Sequence, residues 1–139
     1  MRTVFADSFY WISLANPNDD WHETVQAVSR ALGMVRLVTT DEVLNEFLAF
    51  YSGYGPFWRA QAVRLVKSIV ANPGVQVIPQ TRSSFEQALR LYDSRLDKEY
   101  SLTDCASMEV MRELGVREVL THDHHFTQEG YTILFTEPV

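Results

Sequence analysis

Four acidic residues occupy positions at which this chain could do chemistry: Asp7, Glu46, Asp104 and Asp123. Each lies directly after an apolar run with the pattern of a strand, or within a segment with the pattern of a helix. Carboxylates that gather at one edge of a sheet repel each other and cost stability. A divalent cation that also touches the substrate would give such a cluster a purpose. The four residues therefore form a candidate metal site.

Strand and helix patterns alternate along the chain and determine where these acids would lie. Short apolar runs predict strands at residues 4–6, 35–38, 75–78, 119–121 and 131–135. Between them, apolar residues recur at helical spacing. The alternation predicts one domain over residues 1–139, a three-layer α/β/α sandwich with a parallel five-stranded sheet. Ligands of such sheets bind beyond the carboxyl ends of the strands.

The four acids occupy different kinds of position in the predicted elements. Asp7 directly follows the first predicted strand and Asp123 comes just after the fourth, which is where a ligand site is expected. Asp104 lies in the first turn of a helix, where it could equally form a capping box with Ser101. Glu46 falls at the border of a helix's apolar face, and an exposed surface glutamate explains it equally well.

Paired polar residues also indicate where helices begin. A Ser, Thr or Asp three residues before an acid is typical of a capping box. This pattern predicts helix starts at Asp20 with Glu23, Thr39 with Glu42, Ser83 with Glu86, and Ser101 with Asp104.

Composition and charge limit the function classes. A net charge of -6 argues against a broad basic surface for duplex DNA. The single cysteine, Cys105, excludes an internal disulfide, fits a reducing compartment, and is expected to be a small buried apolar group. Neither a signal-peptide pattern nor a membrane-spanning apolar stretch is present, so we expect a cytoplasmic protein with no membrane association.

Three histidines, His122, His124 and His125, surround Asp123. Adjacent residues on a turn rarely converge on one ion, and no Cys or further His is well placed to join them. We therefore expect these histidines to be solvated turn residues.

The chain resembles a PIN domain, and within that class the VapC-like toxin nucleases of prokaryotes. The likeness covers nearly the whole chain and is most specific between residues 100 and 126. It is carried by the segments 4–8, 43–46, 100–105 and 120–126, which contain the acids in the family's order.

The resemblance implies a metal-dependent ribonuclease. Asp7, Glu46, Asp104 and Asp123 would hold Mg²⁺ or Mn²⁺, which activates water to cleave an RNA phosphodiester and leaves a 5′-phosphate and a 3′-hydroxyl. The hydroxyls of Ser8 and Thr121, which adjoin the acids, would support these ligands. Ordinary turn hydroxyls explain those two residues equally well.

The resemblance also implies partners. A small antitoxin would fill the groove at the active site, and the toxin would form a homodimer. Any exposed part of the aromatic stretch from Phe50 to Trp58 would provide an apolar contact surface. We expect three basic residues to rim the groove and bind RNA phosphates: Arg59, Arg64 and Lys67.

Two alternatives remain open at this point. A non-catalytic binding module could use the same scaffold without a metal. Among nucleases, an RNA-processing enzyme that has no antitoxin would look identical to a toxin. A phosphatase-type site is disfavoured because no second acid adjoins Asp7 and no lysine follows Lys98.

Overall fold

The computed structural model describes residues 1–137. The elements, in chain order, are β1 Thr3–Ala6, α1 Ser8–Ala15, α2 His22–Leu32, β2 Arg36–Thr40, α3 Asp41–Tyr51, α4 Pro56–Ala71, β3 Val75–Ile78, α5 Arg82–Ser94, α6 Leu102–Leu114, β4 Glu118–Leu120, α7 His125–Gln128 and β5 Thr132–Ile133. The predicted three-layer α/β/α class with a parallel five-stranded sheet is confirmed.

The strand order places a crevice beside β1. The sheet runs β3-β2-β1-β4-β5, so the chain winds one way from β1 to β3 and then returns to the other side of β1 for β4. This reversal creates a crevice at the carboxyl ends of β1 and β4, the usual ligand position in open α/β sheets. Ala6 is level with Leu120 in the register, so Asp7 and Thr121 come next to each other.

The central strand is apolar because both of its faces are covered. Val4, Phe5 and Ala6 are all fully buried, which is typical of strands in parallel sheets with helices on either side. Cys105 is fully buried on α6, as predicted. Its burial raises the pKa of the thiol to about 11, so the group stays protonated. No helix within residues 1–137 is both long and apolar enough to span a membrane.

The capping box of Ser101 and Asp104 is confirmed, because each side chain accepts a hydrogen bond from the other's backbone N–H. The predicted pair of Thr39 and Glu42 is wrong. Strand β2 extends to Thr40, and the Thr40 side chain caps α3 instead. Thr39 is buried and donates its hydroxyl to the Ala6 carbonyl at 2.9 Å.

Two further helix starts were also predicted wrongly. Helix α5 begins two residues earlier than Ser83 implied, with a capping box between Thr81 and Ser84. Helix α2 has Trp21 as its N-cap and no side-chain cap. The nearby Asp19 carboxylate accepts from the Trp21 N–H at 2.8 Å, so the turn is stabilised one residue before the predicted pair.

The last strand is shorter than the apolar run 131–135. Only Thr132–Ile133 forms regular strand. The N–H groups of Leu134 and Phe135 still donate to the carbonyls of Val119 and Thr121. The run therefore continues along β4 without strand geometry.

Candidate active site

Asp7 lies at the bottom of the crevice, between the end of β1 and the start of α1. Its side chain is buried, with 5% exposure. Oδ2 accepts a hydrogen bond of 2.9 Å from the Thr121 hydroxyl. Oδ1 has no hydrogen-bond partner among residues 1–137. A buried carboxylate oxygen without a donor is costly, and it indicates a place for a cation or another ligand.

Glu46 reaches the same place from the middle of α3. It is half-buried, and its Oε1 accepts a hydrogen bond from the Ser8 hydroxyl. Ser8 is buried at the first position of α1. The serine therefore fixes the direction of the glutamate. Its role as the support of a metal ligand stays a prediction.

Asp104 and Asp123 complete the set of acids. Asp104 is buried in the first turn of α6, where its Oδ2 accepts from the Ser101 N–H at 3.0 Å. Asp123 follows β4, and its backbone N–H donates to the Thr121 hydroxyl oxygen at 3.1 Å. The fully buried Thr121 thus contacts both Asp7 and Asp123 and holds the two strand ends together.

His125 belongs to this cluster, contrary to the expectation of solvated histidines. Its Nδ1 lies 3.3 Å from Asp104 Oδ2 and 3.2 Å from Asp123 Oδ1. His122 is also half-buried, with Nδ1 at 2.8 Å from the Phe135 carbonyl oxygen. Only His124 is exposed as predicted. His125 is the first residue of α7, and this helix turns the chain back so that the His125 side chain faces the acids.

All four acids line one open cleft of about 430 Å³. A second pocket of about 390 Å³ lies between α3, α5 and α6 and shares Glu46 with the cleft. The cleft is lined by Asp7, Ser8, Phe9, Ile12, Glu46, Glu99, Ser101, Asp104, Thr121, His122, Asp123 and His125.

Burial and mutual repulsion raise the pKa values of the deeper carboxyls. Burial is the main cause for Asp7, whose pKa rises to about 7; the Thr121 hydrogen bond opposes the rise, and the charges of Glu46 and Asp104 add to it. Burial also raises the pKa of Glu46 and of Asp104, and the charge of Asp123 adds to both. The charges of the four acids therefore act on one another across the cleft.

The donor set suits a hard divalent cation. Mg²⁺ and Mn²⁺ prefer carboxylate oxygens, and Mg²⁺ usually takes one or two of them directly while waters and substrate oxygens complete its shell. Ligand atoms of Asp104, Asp123 and His125 all lie within 4.8 Å of one another. The free Oδ1 of Asp7 provides a further oxygen in the same cleft.

The three basic residues predicted to rim the groove lie elsewhere on the surface. Arg59, Arg64 and Lys67 are exposed on α4, and none of them lines the cleft. Arg59 donates to the Ser52 carbonyl at 2.9 Å. Arg64 lines a separate pocket beside Trp58. Their role in RNA binding stays a prediction.

The aromatic stretch divides between core and surface. Tyr51 is buried with 1% exposure, and Trp58 stacks on it at 5.3 Å between ring centroids. Phe50, Tyr54 and Phe57 are exposed. These three residues, which we call the aromatic patch, are the exposed part of the stretch, and their role as a contact surface stays a prediction.

Comparison with known proteins identifies the class to which this fold and site belong. The model of the PIN domain family matches residues 4–129, so the chain belongs to the PIN domain family. A relative, the 23S rRNA-specific endonuclease VapC20 of Mycobacterium tuberculosis, is 28% identical over 131 residues, which cover 92% of this chain and 95% of the relative.

Solved structures share the fold. The crystal structure of Mycobacterium tuberculosis VapC20, described as a Sarcin-Ricin loop cleaving toxin, has a TM-score of 0.82 at 24% identity and covers 93% of this chain and 96% of its own. FitAcB from Neisseria gonorrhoeae has a TM-score of 0.63 at 16% identity, with 94% and 95% covered. FitAB bound to an IR36 DNA fragment gives 0.66 at 16% identity, with 94% and 93% covered.

Proposed function

We propose that this chain is a metal-dependent endoribonuclease that acts in the cytoplasm as the toxin of a toxin–antitoxin pair. The observation that carries the proposal is the meeting of four carboxylates, from separate parts of the chain, in one cleft. In a binding module without a metal, nothing would offset the repulsion among these four carboxylates. In a metal-dependent hydrolase, a cation bound between the carboxylates offsets it.

Each residue of the cluster has a distinct part in this proposal. Asp7, Glu46, Asp104 and Asp123 would hold Mg²⁺ or Mn²⁺. When bound, such an ion lowers the pKa of a coordinated water and neutralises the charge that develops on a phosphodiester. The Ser8 hydroxyl orients Glu46. The products would carry a 5′-phosphate and a 3′-hydroxyl.

The proposed substrate is ribosomal RNA of the large subunit. VapC20, which aligns over most of both chains, is named for its action on 23S rRNA. A stem-loop of the sarcin–ricin type is therefore the first RNA to test. Phosphates of that RNA would extend from the cleft to the basic residues of α4, which we propose as contacts: Arg59, Arg64 and Lys67.

A small antitoxin and a second copy of the chain are the proposed protein partners. The aromatic patch is the proposed contact for the antitoxin, because three exposed aromatic side chains in sequence proximity suit an apolar peptide segment. Light scattering on the purified protein, alone and with the product of an adjacent reading frame, would measure both assemblies. A chain that stays monomeric and does not bind that product would contradict both proposed assemblies.

The deciding experiment is cleavage of an end-labelled stem-loop RNA with Mg²⁺, Mn²⁺ or EDTA. We expect cleavage with either metal, none with EDTA, and none in Asp7→Asn. Asp93→Asn is the matched control, because it removes one acid from an exposed position on α5. Activity that survives in Asp7→Asn would refute the assignment of the site.

Two further measurements separate the alternatives. A binding module without a metal site would show no shift in Tm when Mn²⁺ is added. An RNA-processing enzyme would cleave RNA without arresting growth when it is expressed alone. We expect arrest by the parent chain and none by Asp104→Ala.

A further inference from the structure

We propose that His125 supplies a nitrogen ligand to the divalent cation of this cleft and thereby makes the site prefer Mn²⁺ over Mg²⁺. This inference rests on the proposed function, because it concerns the ion on which that function depends. It adds a residue outside the carboxylate set and an order of preference between the two ions.

The distances around the histidine are those of neighbouring ligands. Nδ1 lies 3.3 Å from Asp104 Oδ2 and 3.2 Å from Asp123 Oδ1. Donor atoms on adjacent corners of an octahedron with bonds of about 2.1 Å are about 3 Å apart. The three donors therefore need to move little to surround an ion. Coordination through Nδ1 places the ring proton on Nε2.

A second observation points to a ligand in the same cleft. Asp7 Oδ1 is buried, lines this cleft and accepts no hydrogen bond within residues 1–137. A buried carboxylate oxygen without a donor is costly. A cation bound in this cleft would provide the positive partner that this oxygen lacks.

The imidazole is held in position by the protein itself. The backbone N–H of His125 donates to Asp123 Oδ1 at 2.9 Å, and the next residue, Phe126, is fully buried. The Tyr100 ring packs edge-on against the imidazole at 5.6 Å. The Tyr100 hydroxyl donates to Glu129 at 3.0 Å. A ligand fixed in this way is ready before the ion arrives.

Glu129, which accepts the Tyr100 hydroxyl, is itself held in place by an arginine. Arg95 donates to both carboxylate oxygens of Glu129, from Nε at 3.1 Å and from Nη2 at 2.9 Å. This paired contact sets the plane of the glutamate, which in turn sets the position of the tyrosine hydroxyl. The orientation of His125 therefore depends on a chain of contacts outside the cluster.

The nitrogen donor decides which ion fits best. Mg²⁺ takes oxygen ligands almost exclusively and dehydrates reluctantly. Imidazole favours transition metals, whereas carboxylate suits both Mg²⁺ and Mn²⁺. A site with one imidazole among carboxylates should therefore bind Mn²⁺ more tightly than Mg²⁺, and the difference should depend on that imidazole.

The experiment compares His125→Gln with His124→Gln, a neighbouring exposed histidine that does not line the cleft. Metal-free protein is titrated with Mn²⁺ and with Mg²⁺ by calorimetry in the absence of RNA. We expect Mn²⁺ to bind more tightly than Mg²⁺ in the parent and, by the same ratio, in His124→Gln. In His125→Gln the ratio should fall toward one, chiefly through weaker Mn²⁺ binding.

Pulsed EPR of bound Mn²⁺ provides a direct readout. We expect a ¹⁴N coupling in the parent that changes when histidine alone is labelled with ¹⁵N and disappears in His125→Gln. The labelled parent shows that a histidine is bound even if this variant fails to fold. Because His122 also lines the cleft, the coupling must persist in His122→Gln, and its loss there would overturn the assignment to His125. Mn²⁺ bound without nitrogen coupling, or equal losses of affinity for both ions, would overturn the inference and leave a nuclease site of carboxylates. No metal binding at all would overturn the proposed function as well.

Discussion

Replacing Asp7 by Asn should stabilise the metal-free protein and remove the part of the pH dependence of its stability that the Asp7 carboxyl causes. The carboxyl is buried, has one oxygen without a hydrogen-bond partner among the described residues, and lies near the charges of Glu46 and Asp104. Burial raises its pKa from 3.8 to about 7. Asparagine keeps a carbonyl oxygen for the Thr121 hydroxyl and carries no charge.

The magnitude follows from the pKa difference. A difference of about 3 pH units, at about 1.4 kcal/mol per unit, corresponds to about 4 kcal/mol. Because the folded protein binds this proton more tightly than the unfolded chain, the Asp7 carboxyl makes stability fall as the pH rises from about 4 to about 7. Above pH 7 the carboxylate is ionised and its full destabilising effect is present. The free energy of unfolding of Asp7→Asn should therefore exceed that of the parent by up to about 4 kcal/mol at pH 8.

Urea denaturation in EDTA between pH 5 and pH 8.5 measures this difference. Asp93→Asn removes an exposed acid on α5 and should follow the parent at every pH. With saturating Mn²⁺ the parent should become more stable than Asp7→Asn, because the ion binds the folded parent and stabilises it by mass action. Parallel pH profiles for the parent and Asp7→Asn, or a less stable variant at pH 8, would refute the description of Asp7 as a destabilising buried charge.

The contacts around the cleft support three further predictions. Thr121→Val should cost about 1–3 kcal/mol in urea denaturation, since the buried Asp7 carboxylate and the partly buried Asp123 N–H both lose a hydrogen-bond partner. The same change should weaken Mn²⁺ binding about 10- to 100-fold. Unchanged values would contradict the bridging role. Near pH 6, Mn²⁺ binding should release at least about one proton, because the pKa of Asp7 is about 7 and every proposed ligand must be unprotonated to bind the ion. Above pH 8 that release should vanish. Calorimetry in two buffers of different ionisation enthalpy measures the release. Charge reversal at a basic residue of α4 should weaken RNA binding and flatten its salt dependence, as measured by filter binding, and an unchanged slope would remove that residue from the interface. The residues to test are Arg59, Arg64 and Lys67.

The sequence predicted the parts of the site that follow from backbone rules. Asp7 and Asp123 come after strands, and the ligand position of parallel sheets is determined by topology. The order β3-β2-β1-β4-β5 was not predicted, yet any order with β1 beside β4 brings those two residues together. Glu46 was harder, because its direction depends on the Ser8 hydroxyl, which a helical pattern does not reveal.

The part that sequence reasoning missed depends on short structure and on packing. Helix α7 spans only His125–Gln128, too short for periodicity to indicate, and it turns His125 toward the acids. The basic residues of α4 were expected to rim the groove, but none of them lines the cleft. Their position depends on how α4 packs against α1 and α3, which the amino-acid sequence of α4 alone does not reveal. The sequence signal that could have placed His125 in the cluster was the pair of histidines after Asp123, considered together with Asp104.

The two interpretations of Asp104 turn out to be compatible. The sequence left helix capping and metal binding equally open, as if one excluded the other. Oδ2 accepts from the Ser101 N–H and also lies 3.3 Å from His125 Nδ1, so the capping contact directs the carboxylate into the cleft. A carboxylate has room for about four contacts, so capping leaves sites free for an ion. Because Asp104 lies in the first turn of α6, the same hydrogen bonds that start the helix also orient this proposed ligand.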